Sequence, residues 1–141
     1  MNLSSLLQAS SQLGCLEEPF TNEEIDLVIQ NLPSDKSPGP DGFNTDFIKK
    51  CWPIVKNDFY NLCHAFYSGD ICLQSINGSY IALIPKCDGA SRASDFRPIS
   101  LLNTSMKIIN KLLANRLQVV IQSIIHKNQY VSYSLGQFKI V

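Results

Sequence analysis

Cys63 and His64 set a thiol beside an imidazole, and a histidine base next to a cysteine is the pairing that generates a thiolate nucleophile. On a helix, however, neighbours point about 100° apart, so the two do not serve each other. The full set of thiols, Cys15, Cys51, Cys63, Cys72 and Cys87, contains no C-x-x-C pair and is odd in number. Neither a zinc ribbon nor a disulfide framework is indicated, and the thiols read as reduced and intracellular. Asp41 is the next candidate, because it stands in SDKSPGPDGF, residues 34–43, a stretch stiffened by Pro38 and Pro40 and opened by Gly39 and Gly42. Prolines push Ser37 and Gly39 toward extended geometry. In such a shaped loop Asp41 is read as capping the following helix or closing an Asx turn rather than binding a metal.

Charge is distributed unevenly along a chain whose net charge is zero. Residues 1–46 hold eight acidic side chains against a single base, Lys36. After Asp95 there is no carboxylate side chain, while Arg97, Lys107, Lys111, Arg116, Lys127 and Lys139 are all basic. This asymmetry points to an anionic partner for the C-terminal half, with a solvated helix face as the plainer reading.

The elements that must position these groups are legible in the pattern. A length of 141 residues with 45% hydrophobic content fits one domain with a real core. Residues 1–20 give weak signals and read as a leader. Thr21-Asn22-Glu23-Glu24 fits a capping box, and Ile25, Val28, Ile29 and Leu32 give the helix that follows its apolar face, closed by Pro33. FNTDFIKKCW reads as a short helix ending near Trp52, with Pro53 at the first turn of another. Val55, Phe59, Leu62, Cys63 and Phe66 line one side of that second helix, which Ser68-Gly69 ends.

SYIALIP, residues 79–85, predicts a strand, and FRPISLL a second extended piece carrying Arg97, with the polar KCDGASRASD as a flexible tip. Pro98 makes the second an edge strand. From Thr104 or Ser105 a long helix follows, with an apolar face through Ile108, Ile109, Leu112, Leu113, Leu117, Val120, Ile121, Ile124 and Ile125. Lys107, Lys111, Asn115, Gln118 and Gln122 form another side, expected to be polar, partly basic and exposed. The start of the chain lacks a basic n-region and a long apolar h-region, and no run approaches 18 apolar residues, which argues against secretion and membrane spanning.

Six stretches in order, FTNEEI, SDKSPGPDGFNTDFIKKCW, INGSYIALIPK, DFRPISLLN, KIINKLLANRL and IIHKNQY, give the chain from about residue 20 to 130 its resemblance to a family. Together they resemble the N-terminal part of reverse transcriptases from LINE-type (non-LTR) retrotransposons, particularly those of plants. The resemblance implies an α+β, mostly helical fold with one short β-hairpin, forming part of the fingers and the start of the palm of a right-hand polymerase. Residues 21–130 then form the N-terminal part of a reverse transcriptase domain, preceded by the leader and followed by a divergent tail, 131–141.

By position, the two basic residues that meet the triphosphate in this family correspond to Lys86 of LIPK and Arg97 of FRPIS. Arg offers a planar fork to phosphate oxygens and Lys a mobile point charge. Without the resemblance, Lys86 reads as a solubilising charge and Arg97 as a salt-bridge partner of Asp95. Pro38, Gly39, Asp41 and Gly42 are implied to be architectural, setting the angle between the acidic first helix and the helices behind the fingers. The family's Mg²⁺-binding aspartates, on a palm strand and in a Tyr/Phe-Ala-Asp-Asp hairpin, are not in these 141 residues. No catalytic residue, metal ligand or cofactor is therefore assigned, and the chain is not expected to be catalytic alone.

The family usually continues Gln-x-x-Phe-x-x-Gly-Arg, whereas NQYVSYSLGQFKIV keeps Gln129 and loses the rest, as expected of a frameshift, a spliced end or a premature stop. The rival expectations are a nucleic-acid-binding remnant gripping phosphates weakly through Lys86, Arg97, Lys107 and Lys111, and a host-adopted helical interaction module. Expected partners are RNA or DNA, no membrane, and a second copy through the long helix's apolar stripe, which the missing palm should have covered.

Overall fold

The computed structural model describes residues 13–124. The element order is α1 (Gly14–Glu17), α2 (Asn22–Asn31), α3 (Thr45–Ser68), α4 (Leu73–Ile76), β1 (Ser79–Pro85), β2 (Phe96–Leu102) and α5 (Thr104–Ile124). A helical body with one small antiparallel sheet of two strands is thus what forms. Most of the leader and all of the tail lie outside the described residues, as do Ile125 and Gln129.

Thr21 caps α2 as its type and place predict, accepting the Glu24 amide through Oγ1 at 3.1 Å. The reciprocal half of the capping box does not form, because the Glu24 carboxylate is paired with Arg116 of α5. Ile25, Val28 and Ile29 are buried, with Leu32 just behind them, and α2 packs on both α3 and α5. Pro33 holds Leu32 extended and ends α2 there. Lys49 of α3 donates to the Leu32 carbonyl at 2.6 Å, putting a cation at the α2 C-terminus where the helix dipole favours one.

The two helices expected around Pro53 are a single helix of 24 residues. Trp52 Nε1 and Tyr60 Oη both donate to Asp26 Oδ1 of α2, at 2.8 and 2.7 Å. Positions 52 and 60 lie two turns apart and face one carboxylate oxygen only if the helix runs unbroken between them. Tertiary bonds and packing of Trp52, Phe59 and Tyr60 against the core therefore override the local cost of the proline. Asn44 caps α3 by accepting the Phe47 amide at 2.9 Å, and Gly69 closes it at φ 76°.

The core gathers α2, α3 and α5 around Ile25, Ile29, Ile48, Cys63, Ile108 and Leu112. Full burial of each of these Ile and Leu side chains contributes about 1.5–3 kcal/mol. Phe20, at the end of the leader, belongs to this core and stacks at 6.4 Å on Phe66. The long helix differs from expectation in its exposed sides. Ile108, Ile109, Leu112 and Val120 are buried within this chain, Leu113 and Leu117 remain 41% and 43% exposed, and Lys107, Lys111 and Asn115 are half-buried rather than exposed.

Candidate nucleic-acid interface

The strands pair in the register Ile84↔Arg97 and Pro85↔Phe96, and the Lys86 amide extends the ladder by donating to the Asp95 carbonyl at 2.8 Å. Side chains of directly opposed residues share a face and alternate along each strand. Ile84, Lys86 and Arg97 therefore belong to one face of the hairpin. Both basic residues are exposed. Lys86 Nζ donates to the Ser94 carbonyl at 2.7 Å, which engages one of its three N–H groups and leaves the others for a ligand.

Arg97 forms no ion pair with Asp95 among the described residues. Instead Asp95 accepts the Arg92 amide at 3.0 Å, the Ser91 amide at 3.3 Å and the Ser94 hydroxyl at 3.2 Å. Those backbone donors, Arg92 first, hold its carboxyl below the ordinary carboxylate range. Asp95 thus organises the tip of the hairpin, and the guanidinium nearby stays available.

The stiff loop docks at the other end of the hairpin, where β2 passes into α5. Asp41 accepts the Phe43 amide at 3.3 Å, which is an Asx turn, and its other oxygen accepts the Thr104 amide at 2.9 Å. The helix that Asp41 caps is α5, not the following one. Its own amide donates to Asn103 Oδ1 at 3.0 Å, and Thr104 Oγ1 donates to the Phe43 carbonyl at 2.7 Å. Gly42 donates to the Gly39 carbonyl at 3.0 Å and takes φ 72°, a left-handed value that favours glycine. A Cβ on Gly39 would land on the Leu102 carbonyl and the Asn103 nitrogen, so only glycine allows this approach. Pro38 is exposed within the same loop.

Of the other basic candidates, Lys107 Nζ is turned to the Ser37 carbonyl at 2.7 Å, fastening α5 to the loop. Lys111 is half-buried and lies one helical turn further on. Sequence reading gave Arg116 no place beyond the C-terminal basic charges, although its guanidinium bonds both Glu24 oxygens, at 2.7 and 2.8 Å, and the Pro19 carbonyl at 2.8 Å, also meets the Glu18 carbonyl, and sits 4.5 Å over the Phe20 ring. The same reading passed over Asn103, whose Nδ2 donates to the Ile76 carbonyl at 2.9 Å. The polar residue just before a helix was a signal in its own right.

No group of three or more His, Cys, Asp or Glu side chains that could hold a metal ion occurs among the described residues. Asp88 stands exposed in the tip, and the Asp95 oxygens are engaged by local donors. These residues do not fit a two-metal centre. Nor is any helix among them long and apolar enough to cross a membrane.

No protein-family model matches the chain. Over 115 residues it is 35% identical to the Transposon TX1 uncharacterized 149 kDa protein of Xenopus laevis, a match covering 81% of this chain and 9% of that protein. The similarity supports a transposon-derived origin.

Proposed function

We propose that the chain is a segment of a non-LTR retrotransposon reverse transcriptase, from the fingers and the start of the palm, and that its hairpin binds nucleic-acid or nucleotide phosphates through Lys86 and Arg97. The ordered motifs from residue 20 to 130 support the family, as does the relationship to a transposon protein over 81% of the chain. The observation that carries the phosphate reading is the register: Ile84 opposite Arg97, with Lys86 two residues on, gives one face two exposed cations. A guanidinium fork and a mobile ammonium side by side neutralise the charge of a phosphate and position it without chemistry of their own.

Polypeptide 1–141 should bind a short single-stranded RNA weakly and without sequence preference, as followed by fluorescence anisotropy across a salt series. On a single strand, each phosphate that a cation neutralises adds about 0.7 to the slope of log K against log salt, so Lys86→Ala with Arg97→Ala should flatten it by roughly 1.4. Lys56→Ala, on the exposed side of α3, should leave the slope in place. Binding by wild type no tighter than by the double variant at low salt would refute the phosphate role.

A further inference from the structure

We propose that Asn103 and Asp41 are positioning residues which together fix the angle between the hairpin and the helical body; its bearing on phosphate binding rests on the reading above. The hairpin projects. Its strands pack chiefly on each other, no helix makes an extensive contact with either, and Tyr80, Ile81 and Leu83 are 60%, 68% and 63% exposed. A projecting ribbon is aimed only by what holds its base.

At that base the Asn103 side chain ties three segments together. Its Nδ2 donates to the Ile76 carbonyl, at the end of α4 just before β1, and its Oδ1 accepts the Asp41 amide from the stiff loop, while its backbone directly follows β2. Both hairpin legs are thus fastened to residues 37–43 by one amide side chain. An Asn preceding a helix ordinarily turns its oxygen onto that helix's first amides. Here the Asn103 oxygen is turned to the loop instead, and the first amide of α5, that of Thr104, is accepted by the Asp41 carboxylate from 63 residues away. The helix start, the loop and both legs thereby form one joint. Gly39 lets the joint close by bringing the loop backbone onto the Leu102 carbonyl.

The joint can be tested by a distance measurement that needs no RNA. Nitroxide labels on Cys87 at the hairpin tip and on Lys56→Cys of α3, with Cys15, Cys51 and Cys72 replaced by serine and buried Cys63 kept, report the angle. Wild type should give one narrow distance peak. Asn103→Ala, and separately Asn103→Asp, which keeps the shape but loses the donor to Ile76, should each give a broad distribution while the helical circular dichroism is kept. Asn44→Ala, which removes the α3 cap and leaves the joint alone, should keep the narrow peak. Folded Asn103 variants with the wild-type peak would overturn the proposal. Failure of both Asn103 variants to fold, with Asn44→Ala folded, would overturn it too, since Asn103 would then support the whole body. In the RNA assay Asn103→Ala should show a several-fold loss of affinity at low salt. Absence of RNA binding by wild type would remove the phosphate reading while the distance distributions still decided the joint.

Discussion

Asp26 accepts two donors from α3 on one oxygen, and this small site shows what single residues decide here. The Tyr60 hydroxyl is pushed up from its ordinary 10.0 to about 12, first by its hydrogen bond to Asp26 and then by desolvation. A folded value above the unfolded one means that Tyr60 supports folding fully below pH about 10, and that this support is lost as pH rises toward 12. Asp26→Asn removes the anion, so Tyr60 should ionise closer to 10.0, read as the phenolate absorbance difference between each protein and its Tyr60→Phe counterpart. An unchanged titration would mean that Asp26 does not set it. Local chemistry at this scale was legible in the sequence, and distant chemistry was not. Thr21 as a cap and Asp41 as an Asx turn follow from residues two or three positions away. The pairing of Glu24 with Arg116 spans 92 positions, and no local pattern contains it.

At the scale of elements, strand-forming composition between turn signals located β1 and β2, which pair with each other, and 3/4 spacing located α2 and α5, which bury a periodic face. The rule that failed concerned Pro53, which local reasoning puts at a helix start and the fold puts inside α3. An interior proline costs about 3 kcal/mol in helix terms, against a gain of about 0.4–1 kcal/mol from a stiffer unfolded chain. Pro53→Ala should therefore stabilise the protein by roughly 2 kcal/mol in chemical denaturation, with the bonds of Trp52 and Tyr60 to Asp26 retained. A neutral or destabilising result would show that the proline fits a bend which the packing on α2 requires. The candidate site has the same history: the hairpin and its cations were readable, while the joint at its base, made by residues 41 and 103, depends on a contact across 62 positions.

For the whole molecule, the uneven charge along the sequence suggested an anionic partner, but the fold satisfies part of it internally. Arg116 is consumed by Glu24 and the leader carbonyls, and Lys107 by the loop. Among the described residues, Ile108, Ile109, Leu112 and Val120 of the expected apolar stripe of α5 likewise lie in the chain's own core, while Leu113 and Leu117 stay 41% and 43% exposed. Apolar side chains are also uncovered on β1, where Ile81 and Leu83 stand 68% and 63% exposed on one face and Tyr80 and Ile84 stand 60% and 46% exposed on the other. No charged side chain interrupts residues 79–85, and natural edge strands commonly carry such a charge to prevent pairing with another chain. Polypeptide 1–141 should consequently self-associate as its concentration rises, seen as a growing weight-average mass in sedimentation. Ile81→Lys, on an exposed edge away from the core, should suppress that association without lowering the melting temperature, and Leu117→Lys should suppress it less. Stronger suppression by Leu117→Lys would return the contact to the long helix, and a constant monomer mass would dismiss both surfaces.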